Sequence, residues 1–355
     1  MGLNSILNKK DMTRQFDYVP DSHTRRCKIN TGRLCNADCR FCYYGDSRTE
    51  NIEFHLIEKQ LDIAKKFGME SVDFSGGEPT IHKDFKKMIE SANKFSFKGI
   101  CVVTNGLTFH NKSFMKDCME LGLNDILLSL HGIESVQNRV MGTDNAYLRA
   151  IKTIENANDL GLRVRINSVV SNMTYRHLPL LSKELNVYNY NMILFKYCFD
   201  QVNSPDFVNH RKTSEYIKQA IDNCEDRIEM INVRYIPFCF MRGYEKYVTN
   251  FHQKKYDPLE WNNALFFRFE NIEDICLDFL GNDPVEENDS AIEKYSVSDY
   301  CKADKCIRCR DFLICDGFER TYKNLTEFQS SSISEEVKPE PGKKIKDPLY
   351  YRRDT

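Results

Sequence analysis

Short runs in which apolar and polar residues alternate recur along the first two thirds of the chain, each followed by a longer stretch with apolar residues at helical spacing. Arg25 to Asn30 is the first such run, with Cys27 and Ile29 on one face. Further strands are expected at Ser71 to Ser75, Ile100 to Thr104, Ile126 to Leu130, Val164 to Val170 and Met192 to Tyr197. Between them, Phe54 to Phe67 carries Ile57, Leu61 and Ala64 on one helical face and stops at Gly68. Comparable helices are marked by Phe85, Met88, Ile89 and Ala92, by Phe114, Met115, Cys118 and Leu121, and by Tyr147, Ile151, Ile154 and Ala157, with two more near 176–186 and 212–223. Strands alternating with helices of this length predict parallel βαβ units. The expected fold class is therefore α/β: a partial (β/α)6, TIM-like barrel over residues 25–227.

The pattern changes from Ile228. Ile231, Val233 and Tyr235 alternate, Pro237-Phe238-Cys239-Phe240 interrupts, and the aromatics between 244 and 275 have no clean period. A small cysteine-rich C-terminal domain, rather than a seventh barrel unit, is expected over 228–328. Residues 1–24 read as a polar N-terminal extension, Gly281 to Ser290 as a solvated acidic loop, and 329–355, with three consecutive serines, prolines and mixed charge, as a disordered tail.

Composition narrows the function classes. The 355 residues suffice for one large domain and a smaller one. A formal charge of -2 gives no field to draw the chain to nucleic acid or anionic lipid. Neither partner is expected. Fourteen cysteines without a secretory signal predict reduced thiols in a cytoplasm rather than a disulfide framework. No stretch approaches the roughly 18 apolar residues of a membrane span.

Chemistry first appears in Cys35-Asn36-Ala37-Asp38-Cys39-Arg40-Phe41-Cys42, a C-x3-C-x2-C run. Three thiols fill only three of the four ligand positions that a zinc ion or an iron–sulfur cube requires. A vacancy of this kind favours a reactive site over a structural one. The spacing alone leaves open a zinc knuckle completed from elsewhere, with His55 as a candidate. About 35 residues on, Ser75-Gly76-Gly77-Glu78-Pro79 follows the strand-like Val72-Asp73-Phe74.

The two motifs in this order resemble those of the radical S-adenosylmethionine (SAM) enzymes. The resemblance implies that Cys35, Cys39 and Cys42 hold a [4Fe-4S] cluster whose open iron is chelated by the amino and carboxylate groups of SAM. It places Phe41 near the adenine and gives the SAM amino group to Gly76, Gly77 and Glu78. A glycine pair lets backbone approach a ligand closely, and a carboxylate neutralises an ammonium. The polar clusters fit a barrel whose cofactors gather at the C-terminal strand ends: Gly76-Gly77-Glu78 ends the second strand, Thr104-Asn105-Gly106 the third and Ser129-Leu130-His131-Gly132 the fourth, while Asn167 lies within the fifth. By resemblance Ser129 contacts the SAM carboxylate or ribose and Asn167 the adenosyl part. Asn105 is taken as a further cofactor position and His131 as a weaker one. Asn and Gly are also ordinary turn residues there.

A second constellation, Cys306-Ile307-Arg308-Cys309 followed by Cys315-Asp316-Gly317, forms a compact multidentate ligand, and local spacing does not separate zinc from iron–sulfur. It resembles the SPASM and twitch extensions of radical SAM enzymes, which carry auxiliary [4Fe-4S] clusters. The resemblance implies one auxiliary cluster on Cys239, Cys306, Cys309 and Cys315, with Cys301 in reserve. Glu319 stands where a two-cluster SPASM pattern has another cysteine.

The resemblance further implies that one electron cleaves SAM to a 5'-deoxyadenosyl radical, which abstracts a hydrogen atom from the substrate. The auxiliary cluster accepts an electron or ligates the substrate, giving net oxidation. Such an oxidoreductase needs an electron donor such as flavodoxin or ferredoxin. The substrate expected is a ribosomally made peptide, with a small sugar, alcohol or nucleotide as the alternative and a non-catalytic zinc protein as a remote one. Only 34 residues precede Cys35, too few for a leader-binding winged helix. Resemblance to the molybdopterin-precursor GTP cyclase is weaker, because its C-terminal cysteine spacing is missing. No general acid or base is assignable.

Overall fold

The computed structural model describes residues 24–42, 44, 50–194, 206, 208–254, 256–261, 266–271, 274–278, 300–319 and 337–352, with backbone alone for 266–271, 274–278, 301 and 319. Seven parallel strands form one sheet in sequence order: β1 (Arg26–Asn30), β2 (Ser71–Ser75), β3 (Gly99–Thr104), β4 (Asp125–Ser129), β5 (Arg163–Val170), β6 (Asn189–Leu194) and β7 (Met230–Arg234). The intervening helices are α1 (Phe54–Lys66), α2 (Phe85–Lys94), α3 (Lys112–Glu120), α4 (Glu134–Met141), α5 (Ala146–Leu160), α6 (Leu178–Glu184) and α7 (His210–Asp222). Local chemistry agrees with these bounds. Asn111 caps α3 by accepting the Phe114 N–H, Asn209 caps α7 by accepting that of Lys212, and Lys65 and Lys66 sit in the last turn of α1, where the helix dipole favours cations.

Three sequence expectations change here. The sheet has a seventh strand, because Ile231 and Val233 bury one face of β7 while α7 supplies its crossover from β6. The core does not stop at 227. Strand β6 begins three residues earlier than expected, since its buried Asn189 and Asn191 belong to the strand; Tyr197 lies outside the described residues. Helix α4 has no counterpart in the sequence reading, its apolar face being only Val136, Val140 and Met141.

An open sheet leaves both outer strands with unpaired edges. At one end these are joined by residues 248–261: Val248 forms a parallel bridge with Val233 on β7, and Trp261 one with Arg26 on β1. Charges fill the space between. Arg26 and Arg165 both pair with Asp73 (2.9 and 2.7 Å), and Asp125 receives Arg26 (3.3 Å), Arg163 (3.0 Å) and Arg165 (3.0 Å). Arg165 also donates to the Leu259 carbonyl (3.3 Å), and Arg234 pairs with Asp257 and Glu260. Arg26 and Asp125 open their strands, so this plug lies toward the N-terminal ends and leaves the C-terminal ends for chemistry. Asp73 and Asp125 are completely buried. Asp125→Asn strands three guanidinium groups with one carboxylate fewer, and the expected loss is about 3–5 kcal/mol, read as a lowered midpoint in equilibrium urea unfolding.

The C-terminal part packs onto the same hydrophobic core, which includes Ile314, Phe318, Val337 and Ile345. The short strands β10 (Tyr300–Cys301) and β11 (Phe318–Glu319) pair antiparallel, as do β8 (Phe266–Asn271) and β9 (Asp274–Asp278). Residues 337–352, expected to be disordered, are ordered. Arg310 N–H donates to the Glu340 carbonyl (2.7 Å), Ile345 N–H to the Arg310 carbonyl (2.8 Å), and Tyr351 Oη to Asp311 (2.7 Å). Val337, Ile345 and Tyr351 supply the apolar contacts that composition averaged over the tail conceals. Residues 1–23, 281–290 and 329–336 lie outside the described residues.

Candidate active site and cysteine cavity

The first cysteine loop leaves β1 and is fixed from three directions. Against β2, Thr31 N–H donates to the Ser75 carbonyl (2.7 Å), Gly77 N–H to that of Gly32 (2.8 Å) and Glu78 N–H to that of Leu34 (2.8 Å). Against α4, Asp38 N–H and Arg40 N–H donate to the Met141 and Val140 carbonyls (2.9 Å each). On the third side Cys35 and Cys39 pack against a small group of Ala37, Leu107, Met141 and Ala146. Arg40 adds an ion pair to Asp206 (2.7 Å). All three thiols are partly exposed, as a group meeting an external ligand must be.

The glycine pair has a more specific task than the sequence showed. A Cβ on Gly77 would lie 2.1 Å from the Leu34 carbonyl, and one on Gly76, whose φ is +131°, 2.4 Å from that of Gly32. The pair is required for the close approach of two backbones: the β2 turn lies directly on the cysteine loop.

Glu78 is buried at the end of β2. Its carboxylate turns into the protein, where Oε1 accepts from Thr80 N–H (3.2 Å), Thr80 Oγ1 (2.5 Å) and Thr104 Oγ1 (2.8 Å), and Oε2 from Asn105 N–H (2.7 Å). Burial pushes its pKa up against these donors. The carboxylate ties the end of β2 to the end of β3. Asn105 likewise faces the loop, donating to Asn36 Oδ1 (2.8 Å) and toward Cys35 Sγ (3.9 Å) while accepting from Leu107 N–H (2.9 Å).

Ser129 and Asn167 are register partners on β4 and β5, both half-buried. Asn191 on β6 and Asn232 on β7 continue the same row, and Asn232 donates to Asn191 Oδ1 (3.0 Å). This ladder was missed, since strand alternation gives no lateral register between strands. His131, a weak ligand candidate in the sequence, is buried; Val169 N–H donates to its Nδ1 (3.1 Å) and its ring meets Phe41 edge-on at 4.9 Å. Burial lowers its pKa to about 3. The imidazole is neutral, carries its proton on Nε2 and supports Phe41.

The second constellation converges. Cys239, Cys306, Cys309 and Cys315 line one cavity together with Phe238, Phe312 and Phe318. The backbone amide of Lys338 bonds to the Cys239 sulfur, those of Phe238 and Gly317 to the Cys315 sulfur, and Arg242 Nη2 lies 3.9 Å from Cys309 Sγ. Burial pushes the Cys239 thiol up to about 12 and that of Cys315 higher still, so without a bound cation they hold their protons. Cys301 lies on β10, but its side chain is outside the described part. Among the described residues no three His, Cys, Asp or Glu are grouped to hold a single metal ion.

Residues 29–178 match the sequence model of the Radical SAM superfamily. That stretch is a radical SAM domain. The family implies a [4Fe-4S] cluster and SAM, and the first cysteine loop, with three partly exposed thiols in eight residues, offers donors that fit them. Fe-coproporphyrin III synthase of Methanosarcina barkeri is 26% identical over 214 residues, 59% of this chain and 52% of the relative. A probable GTP 3',8-cyclase of Saccharolobus solfataricus is 30% identical over 151 residues, 41% and 47% of the two chains. The chain thus spans about half the length of the curated relatives it matches. Native anSMEcpe with bound AdoMet and Cp18Cys peptide, a solved structure 15% identical, covers 88% of this chain and 99% of its own with a TM-score of 0.51, a likeness of fold. No helix among the described residues is long and apolar enough to cross a membrane.

Proposed function

We propose that this radical SAM enzyme is an oxidoreductase that removes a hydrogen atom and then an electron from its substrate, using a second [4Fe-4S] cluster on Cys239, Cys306, Cys309 and Cys315. The observation that carries the reading is the cavity lined by those four thiols. Four soft donors are the ligand set of such a cluster. Amide donors to Cys239 and Cys315 favour their thiolates. When bound, the cofactors supply a 5'-deoxyadenosyl radical at the first site and an electron acceptor at the second.

The chain's own residues then position and protect. Gly76 and Gly77 set the cysteine loop against β2, Glu78 and Asn105 lock β3 behind it, His131 holds Phe41, and Ser129 and Asn167 present polar groups to the SAM side. A donor of the flavodoxin or ferredoxin type supplies the first electron, and a cytoplasmic location is supported by fourteen cysteines read as reduced thiols.

The substrate class we propose is a ribosomally made peptide, oxidised at an unactivated carbon. A small organic substrate is the second reading, favoured by the names of the curated relatives, a coproporphyrin synthase and a GTP cyclase. The test is substrate-stimulated formation of 5'-deoxyadenosine by the reconstituted protein, with deuterated peptide, porphyrin and nucleotide pools offered separately. Deuterium appearing in 5'-deoxyadenosine with peptides alone supports the first reading. Transfer from porphyrins or nucleotides replaces it with the second.

A further inference from the structure

The rim of the cysteine cavity differs in charge and polarity from the rest of the chain. Ile307, between the ligands Cys306 and Cys309, is 67% exposed, and Leu313 and Tyr350 are 45% and 46% exposed. They are three of only six large apolar residues exposed to this degree among the described residues. The same segments carry the exposed cations Lys305, Arg308, Lys338, Lys343 and Lys346, against the exposed carboxylate of Asp304 and that of Glu340, which is paired with Arg242 and Arg310. The chain as a whole is slightly acidic, with a formal charge of -2.

The two segments form one surface. Cys309 bridges Pro341, and Ile345 N–H donates to the Arg310 carbonyl (2.8 Å). Lys344 Nζ donates to the carbonyls of Ile307 and of Cys309, the latter at 2.7 Å. Arg310 lies over the Tyr350 ring at 5.6 Å. The ordered tail therefore brings Lys338, Lys343 and Lys346 beside the Cys306–Cys309 loop.

Exposed apolar residues on segments with an excess of cations are the arrangement of a protein docking site: the cations steer and orient a partner of opposite charge, and the apolar residues are desolvated on contact. We propose that this face docks a small acidic one-electron carrier protein, a reading that rests on the auxiliary cluster proposed above. The placement fits electron transfer. Ile307 lies in the loop between two proposed cluster ligands, so a partner seated there touches the residue bonded directly to Cys306. One electron passes from the reduced auxiliary cluster to the oxidised carrier. The cluster is oxidised and the carrier reduced, with no bond made or broken and no proton moved.

The test measures binding of the fully reconstituted protein to an oxidised plant-type [2Fe-2S] ferredoxin, an acidic carrier used as probe, by isothermal titration over a range of salt. The variant is Arg308→Glu with Lys343→Glu and Lys346→Glu, three exposed residues outside the cysteine ligands. The expected result is a dissociation constant that rises with salt for the wild type, and one raised at least about tenfold, with its salt dependence flattened, for the variant at low salt. Oxidation by a small neutral quinone should be the same for both, showing the cluster intact. Equal affinity and equal salt dependence in the two proteins, each holding about eight irons, would overturn the docking face and leave the auxiliary cluster standing. Reconstitution to only about four irons would remove the cluster and the docking face together.

Discussion

Cys35→Ala, Cys39→Ala and Cys42→Ala proteins, each reconstituted without oxygen, are expected to produce no 5'-deoxyadenosine above background, a loss of at least about a thousandfold, because the cofactors carry the bond-breaking step. Iron should fall from about eight to about four per chain. The cause is local. The loop offers three thiols and no fourth ligand, so losing one leaves too few to hold a cube. Alanine is tolerated sterically, since Cys35 and Cys39 already pack in a small apolar pocket with Ala37 and Ala146, and the far-ultraviolet dichroism should be unchanged. Chromatography of the nucleoside products checks the expectation. Any one variant that still cleaves SAM reductively removes the role given to the loop.

The second large effect separates the two sites. Cys309→Ala is expected to leave SAM cleavage within about threefold of wild type, yet to abolish the oxidised product and remove about four irons. Cys309 lies in the cavity on the C-terminal segment, whereas the first loop is held by β2, β3 and α4. Its surroundings should survive the change, because Arg242 remains paired with Asp311 (2.7 Å) and Tyr351 with the same carboxylate. The readouts are product mass and iron content on one preparation. Oxidised product in undiminished yield from a protein with a single cluster would show that the second site takes no part in turnover.

Much of this architecture was legible along the chain. Five of the six expected strands lie within one residue of the observed ones, because Val72, Phe74, Ile126, Leu128, Val164 and Ile166 alternate inside parallel units that bury both faces. What escaped had a physical reason in each case. Asn189, Asn191, Asn232 and Arg234 are polar residues on strands, and their burial depends on partners far away in sequence, such as Asp257 and Arg352. Helix α4 is too short for its periodicity to stand out. Its value lies in two carbonyls that hold the cysteine loop.

The candidate site divides along the same line. Cys35, Cys39 and Cys42 were readable because their spacing is local, and a ligand set packed into eight residues needs little else to specify it. The sequence alone also supplied the alternation that makes the sheet and the second run of thiols. Tertiary structure decided the rest: that Gly76 and Gly77 press on the cysteine loop, that the Glu78 carboxylate is consumed by Thr80, Thr104 and Asn105, that Cys239 meets three thiols more than sixty residues away, and that residues 337–352 cover them. The reason is geometric. Periodicity fixes which way a side chain points from its own element, while hydrogen-bond partners, close backbone approaches and shared cavities depend on how elements pack, and no local pattern encodes that.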